Sequence, residues 1–193
     1  MSSIARLLMP FCFFLVPAVE AAEQPSLEPA PYAGPAAGTV ITWGDVGSND
    51  NPKSTTIDEP DGMELRYTRE NGENVKYYLF CLTCAPPATF DKEEYGKLFP
   101  LKVGNSVSFE REWRGTTYRT RMSVLRTERV QTPSGSYDTF VVRRNSERAQ
   151  GGWRGEATFW YAPEVRWNIR YTFSDIYGRH VDRHVIRISP PSQ

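Results

Sequence analysis

Phe159-Trp160-Tyr161-Ala162-Pro163-Glu164-Val165-Arg166-Trp167, continuing through Asn168-Ile169-Arg170-Tyr171-Thr172-Phe173, is the stretch that decides the fold. Ala157, Phe159 and Tyr161 fall on one side of an extended chain, and Pro163 closes that strand because proline cannot donate to a sheet ladder. Trp167, Ile169, Tyr171 and Phe173 then alternate with Arg166, Asn168, Arg170 and Thr172. A period of two puts the large apolar side chains inward and Arg166 and Arg170 outward. The stretch therefore reads as two antiparallel strands joined at Ala162-Pro163-Glu164.

Working outward, the same alternation recurs. Val107, Phe109, Arg111 and Trp113 share a face against Ser106, Ser108, Glu110 and Glu112, and Arg114-Gly115 turns the chain. Tyr118, Thr120, Met122 and Val124 oppose Arg119, Arg121, Ser123 and Leu125. Thr132-Pro133-Ser134-Gly135 is a turn before a strand over 137–143, and Gly151-Gly152 and Gly155 read as breaks. Tyr177-Gly178 leads into a last strand ending at Val185-Ile186-Arg187-Ile188. Toward the N-terminus, 39–43 is a first strand, and 47–62 is a polar loop with an extended interlude at 54–57. Segments 63–68 and 75–80 form a hairpin across Asn71-Gly72, the residue pair best suited to a tight turn. Only 90–98 has helical character, with Asp91, Glu93 and Glu94 early and Lys97 late to suit the helix dipole. The fold class is all-β: an antiparallel meander forming a curved sheet, half-barrel or sandwich, with at most one short helix.

Residues 1–22 read as an export signal. Arg6 is the positive region, 7–17 an apolar core too short to span a bilayer, and Ala18-Val19-Glu20-Ala21 the small-residue cleavage context. Cys12 lies inside that core without the pattern of a lipoprotein cleavage site. Residues 23–37, rich in Pro, Ala, Glu and Ser, read as a flexible leader, and 38–193 as a single β-rich domain. No later segment is apolar enough to cross a membrane. The expected location is periplasmic or secreted.

The formal charge is zero, yet 22–94 hold five Lys/Arg against 13 Asp/Glu while 95–193 hold 17 against nine. Zero net charge on an exported chain argues against nucleic acid as partner. Fifteen of those 17 cations are arginine, whose planar fork suits carboxylates and phosphates and stacks on aromatics.

Cys81 and Cys84 are the only cysteines after the signal. In an oxidising compartment they read as a small structural disulfide. A thiol–disulfide enzyme is the alternative, but it needs the first cysteine at a helix N-terminus within a strand–helix unit, and Pro86-Pro87 follow instead. Ala85 in place of histidine excludes attached haem. His180 and His184, on a strand, lie roughly 13 Å apart, too far to share a metal ion. No nucleophile elbow, phosphate loop or dinucleotide fingerprint occurs, so no catalytic residue, metal or cofactor is expected. The aromatic face offers Phe109, Trp113, Tyr118, Phe159, Tyr161, Trp167 and Tyr171, with Met122 and Ile169, as the lining of an apolar ligand site if the sheet is open. If it is closed, the same residues are core. Arg119, Arg121, Arg166 and Arg170 are candidates for an anion-binding face toward lipid, glycan or an envelope protein. Their alternative role is a solvated face meeting Glu110, Glu112 and Glu128.

Leu98-Phe99-Pro100-Leu101-x-Val103-Gly104, then Glu128 to Tyr137, then Phe159-Trp160-Tyr161-Ala162-Pro163-Glu164-Val165 form a series. It resembles the PLxxG…ExVxxPxG…WYAPxV pattern of β-rich periplasmic proteins of Gram-negative bacteria, over residues 98–173. The resemblance implies a curved antiparallel sheet or half-barrel, and implies no enzymatic activity. The expectation for function is an exported, non-enzymatic domain binding an apolar or anionic envelope ligand. An envelope assembly module is the other reading alongside the thiol–disulfide protein.

Overall fold

The computed structural model describes residues 25–81 and 84–191, without the side chains of 49 and 50. The stretch expected to be an export signal, 1–22, and the first two residues of the expected leader lie outside the described residues.

Eleven strands form one antiparallel sheet. They are β1 (Val40–Asp45), β2 (Ser48–Ile57), β3 (Leu65–Arg69), β4 (Asn74–Tyr77), β5 (Thr89–Phe90), β6 (Ser106–Trp113), β7 (Thr116–Thr132), β8 (Gly135–Arg148), β9 (Arg154–Ala162), β10 (Trp167–Asp175) and β11 (His180–Ser189). The order across the sheet is β4-β3-β2-β1-β11-β10-β9-β8-β7-β6-β5. Consecutive strands pair as a meander on each side of the β1–β11 join, so the two ends of the domain meet mid-sheet. The edge strands β4 and β5 do not pair, and the sheet stays open.

The chain between those edges fills the concave face. Tyr78, Leu79, Phe80, Tyr95, Leu98 and Leu101 are each at most 2% exposed. Helix α1 (Lys92–Gly96) lies in this segment, capped by the Asp91 side chain accepting from Glu94 N–H at 2.9 Å. Its buried face presents Tyr95, whose hydroxyl donates to the Leu79 carbonyl at 2.6 Å. Phe80 packs against Phe99, Phe159 and Tyr161 with ring centroids 5.6–6.1 Å apart. Burying aromatics of this size dominates the core energetics.

Several expectations hold at residue level and others are corrected. The β3–β4 hairpin turns through Asn71-Gly72 with Gly72 at φ 79°, a conformation glycine adopts without strain. Strand β2 covers 48–57 rather than the brief interlude at 54–57, because pairing with β1 satisfies the backbone of a polar stretch that carries no hydrophobic period. Gly155 is no break: it sits inside β9, where a Cβ would come within 3.1 Å of the Ser174 carbonyl oxygen and 2.9 Å of the Trp153 ring. The leader is not free of the domain. Ala30 bridges Leu101, the Tyr32 hydroxyl donates to the Met63 carbonyl, and the Tyr161 hydroxyl donates to the Ala33 carbonyl. A Pro- and Ala-rich composition predicts mobility only where no apolar surface awaits it, and Ala30 is itself buried.

Ile169 changes sides. A bulge between Asn168 and Arg170 adds one residue to β10. Trp167 and Tyr171 remain with the main core, while Ile169 joins a second cluster with Val130, Tyr137, Val141, Trp160 and Ala162 on the opposite face.

Candidate functional site

The aromatic face resolves into three environments. Phe109, Tyr161 and Met122 are core, at 6%, 1% and 0% exposure. Trp113 and Tyr118 sit toward the β6–β7 hairpin end: Trp113 is half-buried under the Arg114 guanidinium at 4.9 Å, and Tyr118 lies beneath Arg111 at 4.3 Å and against Trp153. Of these five, Phe109 also reaches a broad trough over β6–β9, while Met122 and Tyr161 pack into the core among neighbouring rings.

Phe159, Trp167 and Tyr171 do come together at a cleft. It holds about 540 Å³ at the end of the concave face where β1–β3 curl toward β9 and β10. One wall runs Trp43–Tyr171–Phe159, with centroid separations of 5.5 and 6.3 Å. The other runs Tyr67–Tyr77–Trp167, at 6.4 and 5.4 Å. Each ring is set by strand register: Tyr171 faces Phe159 across β9–β10, and Tyr67 follows Leu65 at the period-two spacing of β3. On the floor, Asn168 Nδ2 donates to the Tyr77 hydroxyl at 2.6 Å. Asn168 Oδ1 and the Trp167 indole N–H find no hydrogen-bond partner among the described residues. Burial, with Asp45 and Tyr67 nearby, pushes the Tyr171 phenol up, offset in part by the Arg183 guanidinium.

Trp43, Tyr67 and Tyr77 were missed by sequence reasoning, since they lie outside the 98–173 stretch. Alternation with Ile41 and Leu65 marks Trp43 and Tyr67 as inward-facing. Which strands they would face depends on the β1–β11 pairing, which no local signal carries.

The four arginines do not form one face. Arg119 and Arg121 lie together on β7 in a broad trough of about 870 Å³ that also holds Glu110, Glu147, Arg154 and Glu156. There Arg119 meets Glu110 at 3.5 Å and Glu147 at 3.9 Å, and Arg121 Nε donates to Ser106 Oγ. Arg170 stands three strands away, roughly 14 Å by strand spacing, held by Asp182 through two bonds of 3.0 and 2.7 Å while its guanidinium covers Trp160. Arg166 is exposed in the β9–β10 turn at φ 54°. Arg126 meets Glu128. Exposed pairs such as Arg119 with Glu110 and Glu147 contribute little each to stability.

Two arginines missed as special are inside. Arg144 is 8% exposed, its Nη1 donates to the Phe80 carbonyl at 2.9 Å, and burial together with nearby Arg111 lowers its pKa to about 10. Arg111 is held below its ordinary pKa by burial. Cys81 and Cys84 form a disulfide, both sulfur-bearing residues being at most 1% exposed. His180 and His184 lie on β11, with His184 shifted down by burial and by Arg170. No helix among the described residues is long and apolar enough to cross a membrane.

No protein-family model matches the chain, and no curated protein matches it in sequence. Solved structures similar to it include a protein from Bacteroides fragilis NCTC 9343 described as exported with a YmcC-like fold. The match has 14% identity over 83% of this chain and 99% of that one, with TM-score 0.46. A protein from Parabacteroides distasonis ATCC 8503 described as a lipoprotein matches at 15% identity over 84% and 100%, with TM-score 0.47. The hypothetical lipoprotein YmcC from Escherichia coli K12 matches at 7% identity over 79% and 85%, with TM-score 0.48.

Proposed function

We propose that the chain is an exported, non-enzymatic binding domain whose ligand lodges an apolar body in the cleft between the Trp43–Tyr171–Phe159 and Tyr67–Tyr77–Trp167 walls. The observation that carries this reading is the two files of aromatic rings, Trp43–Tyr171–Phe159 and Tyr67–Tyr77–Trp167, bordering unfilled volume whose remaining lining is polar. Ligand sites are concave, predominantly apolar and fixed in orientation by few polar groups, which here are Asn168 and the Trp167 indole. Among the described lining residues there is no His, Cys or Ser, and the Thr55 hydroxyl donates to the Ile41 carbonyl rather than to a base. Export is supported by the signal features of 1–22 and by the disulfide.

Thiol–disulfide chemistry is disfavoured by burial of both cysteines, since exchange requires an accessible sulfur. The test of the binding reading is extraction of chain exported from a Gram-negative host, followed by lipid mass spectrometry. Bound acyl-chain material is expected in the wild type and depleted in Trp43→Ala/Tyr171→Ala. Wild type and double variant carrying the same trace of lipid would contradict the assignment.

A further inference from the structure

The lining of the aromatic cleft carries three cations, Lys53, Arg69 and Arg183, against the single carboxylate Glu70. They stand on β2, β3 and β11. Lys53 faces Trp43 across β1–β2, Arg69 faces Thr55 across β2–β3, and Arg183 faces Tyr171 across β10–β11. The carboxylates that hold the two arginines lie outside the lining. Arg69 Nη1 donates to Glu73 at 2.7 Å, and Arg183 Nε donates to Asp45 at 2.7 Å.

A guanidinium has five N–H donors in a fixed fork, so one carboxylate leaves donors over. Lys53 is exposed and, among the described residues, has no carboxylate within ion-pair distance. Glu70 is turned to the Ser54 N–H, which it accepts at 3.0 Å. The cleft therefore presents the Lys53 ammonium and the spare donors of two ion-paired guanidiniums beside its aromatic rings. That is the complement of a molecule with an apolar tail and a negative end.

We infer that the cleft takes a single-chain amphiphile with an anionic head group, its chain between the two aromatic walls and its head at Lys53, Arg69 and Arg183. This rests on the reading of the cleft as an apolar-ligand site and specifies its ligand class. A volume of about 540 Å³ is within the range of pockets for one compact ligand and accommodates one chain rather than two.

The experiment is a calorimetric titration of the mature chain, below micelle concentrations, with palmitoyl lysophosphatidylglycerol, palmitoyl lysophosphatidylcholine and glycerol 3-phosphate. The anionic lipid is expected to bind about tenfold more tightly than the zwitterionic one, with the gap closing as salt is raised. Glycerol 3-phosphate alone is expected not to bind. Lys53→Ala/Arg183→Gln should bring the anionic lipid down to the affinity of the zwitterionic one. Equal binding of both lipids by the wild type overturns the head-group inference while the apolar-ligand reading stands. Failure of both lipids overturns the two together. Binding of glycerol 3-phosphate without a chain overturns the amphiphile in favour of a free phosphate site.

Discussion

Arg144, near the centre of β8, donates through Nη1 to the carbonyl of Phe80 at 2.9 Å and so ties the sheet to the segment that crosses its concave face. Phe80 has φ 63°, unusual for a bulky residue, and is fully buried. Its conformation is held by that bond and by the rings of Phe99, Phe159 and Tyr161. Arg144→Ala removes a charge-assisted donor, leaves a buried carbonyl short of a partner and opens a cavity. A loss of about 2–4 kcal/mol in unfolding free energy is expected from urea denaturation, because these costs outweigh the relief of burying a guanidinium. An unchanged midpoint would show that Phe80 is held by packing alone.

Stability should fall in alkali. Tyr161 is pushed up to about 12 by burial, and burial also holds Tyr32, Tyr77 and Tyr95 above their ordinary values. The folded state thus binds these phenolic protons more tightly than the unfolded chain does. Their contribution is complete below pH about 10 and is lost as pH rises toward 12 and beyond. Arg144 works the other way, since its lowered pKa means that the unfolded chain holds that proton more tightly and stability rises over the same range. Arg111, also lowered by burial, acts in the same sense as Arg144, and Tyr171 joins the other four tyrosines, so five raised phenols stand against two lowered arginines. Urea midpoints measured from pH 9 to 12 should therefore decline, and Tyr161→Phe should make the decline shallower.

The disulfide closes a loop with a sequence separation of three. Loop-closure entropy for so short a loop is worth about 2 kcal/mol, so Cys81→Ala/Cys84→Ala should cost that much without unfolding the domain. Both cysteines are buried, so iodoacetamide should label neither in unreduced folded protein. Labelling of both would contradict the bond.

Trp43 and Tyr171 are only partly buried, unlike Phe159 and Trp167. Replacing both by alanine should lower affinity for an acyl chain at least tenfold, while unfolding free energy falls by no more than about 2 kcal/mol. A large stability loss with unchanged affinity would make these rings core rather than site.

Much of the fold is legible in the chain. The alternation of Ser106–Trp113 and Arg154–Ala162, the Asn71-Gly72 hairpin and the Asp91-capped helix are local signals, and local signals suffice for meander strands. What is not legible is non-local. Tyr78, Phe80 and Leu98 read as strand end and helix end, and nothing in their spacing says that they cross from one sheet edge to the other. The Ile169 bulge breaks the clearest period in the chain because pairing with β9 sets the register, not the residues of β10 themselves. Of the cleft, Phe159, Trp167 and Tyr171 were recognisable as one aromatic face. Trp43, Tyr67 and the three cations join them only through the β1–β11 pairing at the middle of the sheet.

The central claim is that the cleft, and not the rest of the aromatic face, receives the ligand, and the five tryptophans of the chain report on it directly. Trp43 and Trp167 line the cleft, whereas Trp113, Trp153 and Trp160 lie elsewhere. Heteronuclear NMR of the five indole N–H groups, titrated with palmitoyl lysophosphatidylglycerol, should shift Trp43 and Trp167 and leave the other three in place. Shifts confined to Trp113, Trp153 or Trp160, or no shift at saturating lipid, would contradict the account.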